Sequence, residues 1–109
     1  MIGVPAWRTS LSPTGAHATP AAIREALRRY SPALMPSPAN QEGVDLGALR
    51  VIDLGDGEGP DGPEGEARTR AAVAEASAHS RLVVALGGDN SVTVATAEGS
   101  LGDLETAGL

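Results

Sequence analysis

Residues 81–97 read RLVVALGGDNSVTVATA. An apolar run, Leu82–Leu86, stops at two glycines. Asp89, Asn90 and Ser91 follow, and a second apolar run begins at Val92. Val83 and Val84 stand side by side without polar alternation, as in a strand covered on both faces. The stretch predicts a strand at about 82–87, a glycine corner, and a short helix from Ser91, in the N-cap position, to about Glu98. A doubly covered strand that turns through glycine into a helix is a unit of an α/β sheet, and it sets the reading of the rest.

Upstream, the units repeat. LRVIDLGD gives a strand at about 49–54, followed by the solvated Gly- and acid-rich loop GDGEGPDGPEGE. Asp61 and Glu64, three apart, match a capping box in kind, and the helix they open runs to about Ser80. Ala67, Ala71, Ala74 and Ala78 form one stripe of it, suited to close packing on a sheet. Further back, Thr19 as N-cap and Pro20 at the first position start a helix that Ser31-Pro32 ends. Ile23, Leu27 and Tyr30 share one face of it, and Glu25 and Arg29 pair on another. MIGVP opens the chain as a short strand, and residues 32–49 are a Pro-spotted connection. The order strand, helix, strand, helix, strand, helix predicts parallel strands with right-handed crossovers: a partial parallel sheet of about three strands with both edges open.

Composition narrows the function. The chain has 109 residues, a formal net charge of −6, no cysteine, no Phe, one Trp and one Tyr. Its core must come from Ala, Val, Leu and Ile, a thin supply of burial for one domain. The basic residues are all Arg and form no stripe with aromatics, which argues against nucleic acid. Acidic surface argues against anionic membranes, and no run approaches the roughly 18 apolar residues of a membrane span. No signal peptide is read at the N-terminus, and the absence of cysteine fits a cytoplasmic protein.

In open α/β sheets ligands sit at the carboxyl ends of the strands, here the loops after Pro5, Leu54 and Leu86. The third carries the most chemistry. Gly87 and Gly88 allow unusual backbone angles and close approach of a ligand. Asp89 and Asn90 offer oxygens of the kind that hard cations take. The competing reading is a strand-to-helix turn in which Asp or Asn bonds nearby amides. Ser91 has no His partner for nucleophilic catalysis and reads as a helix cap. DLGDGEGPDG satisfies neither the dinucleotide fingerprint nor the calcium-loop pattern. His17 and His79 lack a second His at ligand spacing and read as surface residues, His79 near a helix end where a charge would suit the dipole.

In order, these segments resemble the ureohydrolases, the family of arginase, agmatinase and formimidoylglutamase. LVVALGGDNS resembles the family's apolar strand running into Gly-Gly-Asp-His-Ser. IGVP resembles its first strand, TGAHATPAAIREAL its Pro-x-x-Ile-Arg helix start, and VIDLGD its second strand. GVPAWRTSLSPTGAH inclines towards the formimidoylglutamase-like branch. The resemblance implies a large parallel sheet with helices on both faces, of which residues 1–109 are the N-terminal part of an arginase-like fold. It implies two manganese ions at the strand ends, bridged by a hydroxide that attacks the carbon of a small amidino or guanidino substrate, in a protein that forms homo-oligomers. Gly87, Gly88, Asp89 and Ser91 fit the motif. Asn90 stands at the family's His metal-ligand position with a carbonyl oxygen, a weaker ligand than imidazole for a transition metal. The later signatures, Asp-x-His-x-Asp and Ser-x-Asp-x-Asp, do not occur within residues 1–109; LETAGL, 104–109, resembles the lead-in to the strand carrying the first. The expectation is an N-terminal ureohydrolase segment, inactive alone; the alternative is a degenerate, non-catalytic α/β module or sheet-completing interaction segment.

Overall fold

The computed structural model describes residues 1–31, 33–34 and 44–102. The elements are β1 (Ile2–Val4), α1 (Thr19–Leu27), β2 (Ala33–Leu34), β3 (Val44–Asp45), α2 (Gly62–His79), β4 (Ala85–Gly87) and α3 (Val92–Leu101). Short 3-10 turns at Ala16–Ala18 and Leu46–Ala48 join them. The α/β class is as expected, with β1 and β4 parallel in the register Ile2↔Ala85, Gly3↔Leu86, Val4↔Gly87. The expected lead-in at 104–109 lies outside the described residues.

The third lane of the sheet is looser than a strand. Residues 52–57 run parallel beside β1, but only Gly3 and Asp56 form a bridge pair. Around that pair, Gly3 N donates to Gly55 O at 2.8 Å, Gly57 N to Gly3 O at 2.8 Å and Leu54 N to Met1 O at 2.9 Å. The terminal ammonium of Met1 extends the ladder to Ile52 O at 2.6 Å. The order across the sheet is therefore 52–57, β1, β4. The Pro-spotted connection holds something not expected from sequence, a two-residue antiparallel ladder of β2 with β3.

The two faces of the sheet are covered differently. Ile2 and Val4 point alike, towards α2 and α3; Val4 lines a small cavity there with Thr69, Val92 and Ala95. Gly3 faces the other way. A Cβ on it would overlap the Asp56 carboxylate and come within 3.1 Å of Arg24 Nη1 from α1. So α1 lies on one face and α2 with α3 on the opposite one. Helices leaving adjacent strands to opposite faces define a topological switch point, here between β1 and β4.

Local sequence explains the helices, with corrections. Thr19 is not the cap of α1. The preceding 3-10 turn runs straight into the helix, so Thr19 is already helical and Ala18, with no side-chain bond, occupies the cap position. Pro20 sits buried in the first turn, and Glu25 pairs with Arg29 at 3.6 Å. The end of α1 tightens to i→i−3 bonds, Arg29 N to Ala26 O and Tyr30 N to Leu27 O, leaving Leu27 and Tyr30 exposed.

In α2 the expected alanine stripe, Ala67, Ala71, Ala74 and Ala78, faces solvent. The buried residues are Gly65, Thr69 and Val73. Gly99 of α3 explains the choice: a Cβ on it would lie 2.6 Å from Arg70 O and 2.9 Å from Val73 Cβ. Glycine on one helix and the ridge around Val73 on the other let the two axes approach. The Arg70–Glu98 ion pair, 2.5 Å from Nη2 to Oε2, borders this contact. Among the described residues the buried hydrophobic set is small: Ile2, Val4, Ala6, Val73, Leu86 and Ala95.

Candidate functional site

All three strand-end loops meet at the switch point. The loop after β1 folds back onto the glycine corner after β4: Gly88 N donates to Val4 O at 3.0 Å and Asp89 N to Ala6 O at 2.9 Å. This explains the two glycines differently from the expectation. Neither has a positive φ. A Cβ on Gly88 would overlap Ala6 O, and one on Gly87 would lie 2.8 Å from Val92 Cγ2. The close approach that glycine permits is by the chain's own backbone and by α3.

Asp89 joins the two loops. Its Oδ1 accepts from Ser91 N at 3.0 Å and from Ser91 Oγ at 2.5 Å. Its Oδ2 accepts from Thr9 Oγ1 at 2.9 Å and from Ser10 Oγ at 3.3 Å. These bonds, the Ser91 hydroxyl foremost, hold the carboxyl down to about 2. The Ser91 hydroxyl is committed to Asp89, so although Ser91 occupies the N-cap position of α3 it makes no capping bond.

Asp61 joins the third loop to the first. It occupies the N-cap position of α2 but does not bond that helix. Its Oδ1 accepts from Trp7 N at 2.9 Å and Arg8 N at 2.8 Å instead. The capping box read from Asp61 and Glu64 is corrected on this point: two unpaired amides of the first loop reach the carboxylate before the helix does.

Trp7, 42% exposed, sits with its ring centroid 5.5 Å from that of His17, tilted 57°. Asn90 is exposed; its backbone oxygen accepts from Thr93 N at 3.2 Å, and its side-chain amide makes no bond among the described residues. His79 lies at the far end of α2, where Nδ1 is 2.9 Å from Glu75 O.

A second charged cluster lies on the α1 face. Arg24 grips Asp53 with two bonds, Nε–Oδ2 at 2.7 Å and Nη2–Oδ1 at 2.9 Å, and also bonds Asp56 and Gly55 O. The bidentate pair raises the guanidinium pKa and, with the Gly55 amide, lowers Asp53 to about 2. The cluster clamps residues 53–56 beside β1.

Sequence reasoning located the corner through strand-end loops and missed its partners. Thr9 and Ser10 stood in a turn-rich stretch with no spacing signal towards Asp89, and the Arg24 clamp joins α1 to a segment 29 residues away. Among the described residues no group of three or more His, Asp or Glu could hold a metal ion. No helix among them is long and apolar enough to cross a membrane. Compared with known families, residues 1–107 match the sequence model described as Arginase family. No curated protein and no solved structure matches the chain.

Proposed function

The chain belongs to the arginase family, a family of hydrolases that act on C–N bonds, and from that premise we propose that it supplies the first strand-loop corner of a ureohydrolase. The reaction class is hydrolysis of a linear amidine or guanidine C–N bond in a small substrate, of agmatinase or formimidoylglutamase kind, in a cytoplasmic homo-oligomer. The observation that carries the reading is the convergence of three strand-end loops at the switch point between β1 and β4, where open α/β sheets bind ligands.

Family membership favours manganese, which would supply a hydroxide nucleophile at neutral pH. The residues described here do not fit such a centre. Asp89 is occupied by hydroxyls, Asn90 is neutral and exposed, and no three-residue acid or imidazole cluster stands near them. Residues 1–109 are thus proposed as the N-terminal part of the domain, with the metal ligands held on further polypeptide. This part contributes the sheet, the switch-point crevice and the docked first loop that forms its wall.

The test is an assay with manganese on arginine, agmatine and formiminoglutamate, following urea or formamide. Residues 1–109 alone are expected to be inactive, and the same residues joined to their downstream coding sequence active on one of the three. Inactivity of the extended, manganese-loaded protein on all three would favour the alternative, a non-catalytic α/β module, to which the neutral Asn90 already lends support.

A further inference from the structure

We infer that Asp89 is a latch that closes this corner with the chain's own hydroxyls, and that the corner so closed takes no manganese. Only the identity of the ion is taken from the family reading; the latch stands on hydrogen bonds alone.

A carboxylate offers about four lone-pair sites. On Asp89 four donors fill them: the amide and hydroxyl of Ser91 on one oxygen, and the hydroxyls of Thr9 and Ser10 on the other. All four donors are neutral, so the charge is balanced by N–H and O–H dipoles and not by a cation. An entering ion would have to strip donors from one oxygen, and among the described residues it would find no group of three acids or imidazoles to complete its shell. The neighbouring acid, Asp61, is itself tied to the amides of Trp7 and Arg8. Four consecutive residues of the first loop, 7 to 10, are therefore held by two carboxylates from two other loops. The latch makes Thr9, Ser10 and Asp89 positioning residues for the first loop.

Trp7 reports on the latch, because it is the single tryptophan of the chain and lies in the latched loop. The test pairs Thr9→Val with Ser10→Ala, which removes both loop hydroxyls and leaves Asp89 and its Ser91 bonds in place. The expected result is a red-shifted Trp7 emission with increased acrylamide quenching and an unchanged far-UV circular dichroism spectrum. The swap Thr9→Ser with Ser10→Thr keeps both hydroxyls and should restore the parent emission. For the wild-type chain, the six-line paramagnetic resonance signal of free manganese should keep its intensity when equimolar protein is added. Unmoved Trp7 emission in the hydroxyl-free variant overturns the latch. Loss of the free-manganese signal, or quenching of Trp7 by manganese and not by magnesium, overturns the metal half. If the hydroxyl-free variant loses its helical signal, the swap variant and the resonance measurement still decide. A failed hydrolase assay leaves these readouts untouched, so the two readings fail separately.

Discussion

Gly88 tolerates no side chain because the Ala6 backbone occupies the space a Cβ would need. Gly88→Ala should therefore cost about 3 kcal/mol in urea denaturation, at the upper end of overpacking penalties. Gly15→Ala is the control; its φ is −89° and nothing lies within 4 Å of the added carbon, so stability should hold. Asn90 presents the opposite case, an exposed amide with no bond to lose. In a protein that also carries the later signatures of the family, Asn90→His should tighten one manganese site in calorimetry, because imidazole replaces a weak or absent ligand; unchanged affinity would place residue 90 away from the metal. The acid side of the pH profile follows from two carboxyls. Asp53 and Asp89 both lie near 2 in the folded chain against an ordinary 3.8. Their contribution to stability is fully present above about pH 4 and is lost as pH falls through about 2. Thermal unfolding between those limits should show a decline that Asp89→Asn reduces.

At the scale of elements, the question is which stripe of a helix is buried. Every residue in 71–74 of α2 is apolar, so composition leaves the buried face open. The groove of α3 at Gly99 selects Val73. Val73→Ala should cost about 2 kcal/mol, the value of a buried valine's lost methyls plus a partial cavity. Ala71→Gln, on the exposed face, should change stability by less than about 0.5 kcal/mol. Equal effects would mean that α2 is rotated from this packing. The third lane of the sheet depends on Arg24, whose side chain is 19% exposed and bonds two carboxylates and a carbonyl. Arg24→Gln should release residues 53–56 from β1, seen as faster hydrogen exchange at the Gly3, Leu54 and Gly57 amides with the β1–β4 pairing intact.

Across the whole molecule, burial is thin and the apolar surface broad. Val51, Ile52, Leu54 and Leu82 are all more than half exposed. A groove of about 380 Å³ opens among Met1, Ile2, Ile52, Leu54, Ala76 and Leu82, at the end of the strands opposite the glycine corner. Exposed patches of this kind drive association, and screening of the −6 charge should promote it. Sedimentation velocity on residues 1–109 should show mass rising with concentration and with salt; a monomer throughout would contradict this. The three helices, the α/β class and the position of the glycine corner were legible in the sequence, because each rests on local signals: periodicity, a proline in a first turn, two glycines after an apolar run. The strand expected at about 49–54 is instead a looser lane at 52–57 with one bridge pair, since apolar letters do not say that a charged clamp holds the segment beside β1. Nothing local could show that Asp61 serves the first loop in place of its own helix, that Asp89 takes the hydroxyl of Thr9 from 80 residues away, or that Gly88 yields its space to Ala6. A polar group bonds whichever donors the topology brings within reach, and a glycine is required wherever two backbones cross. Those are properties of distance in space, which only the tertiary structure decides.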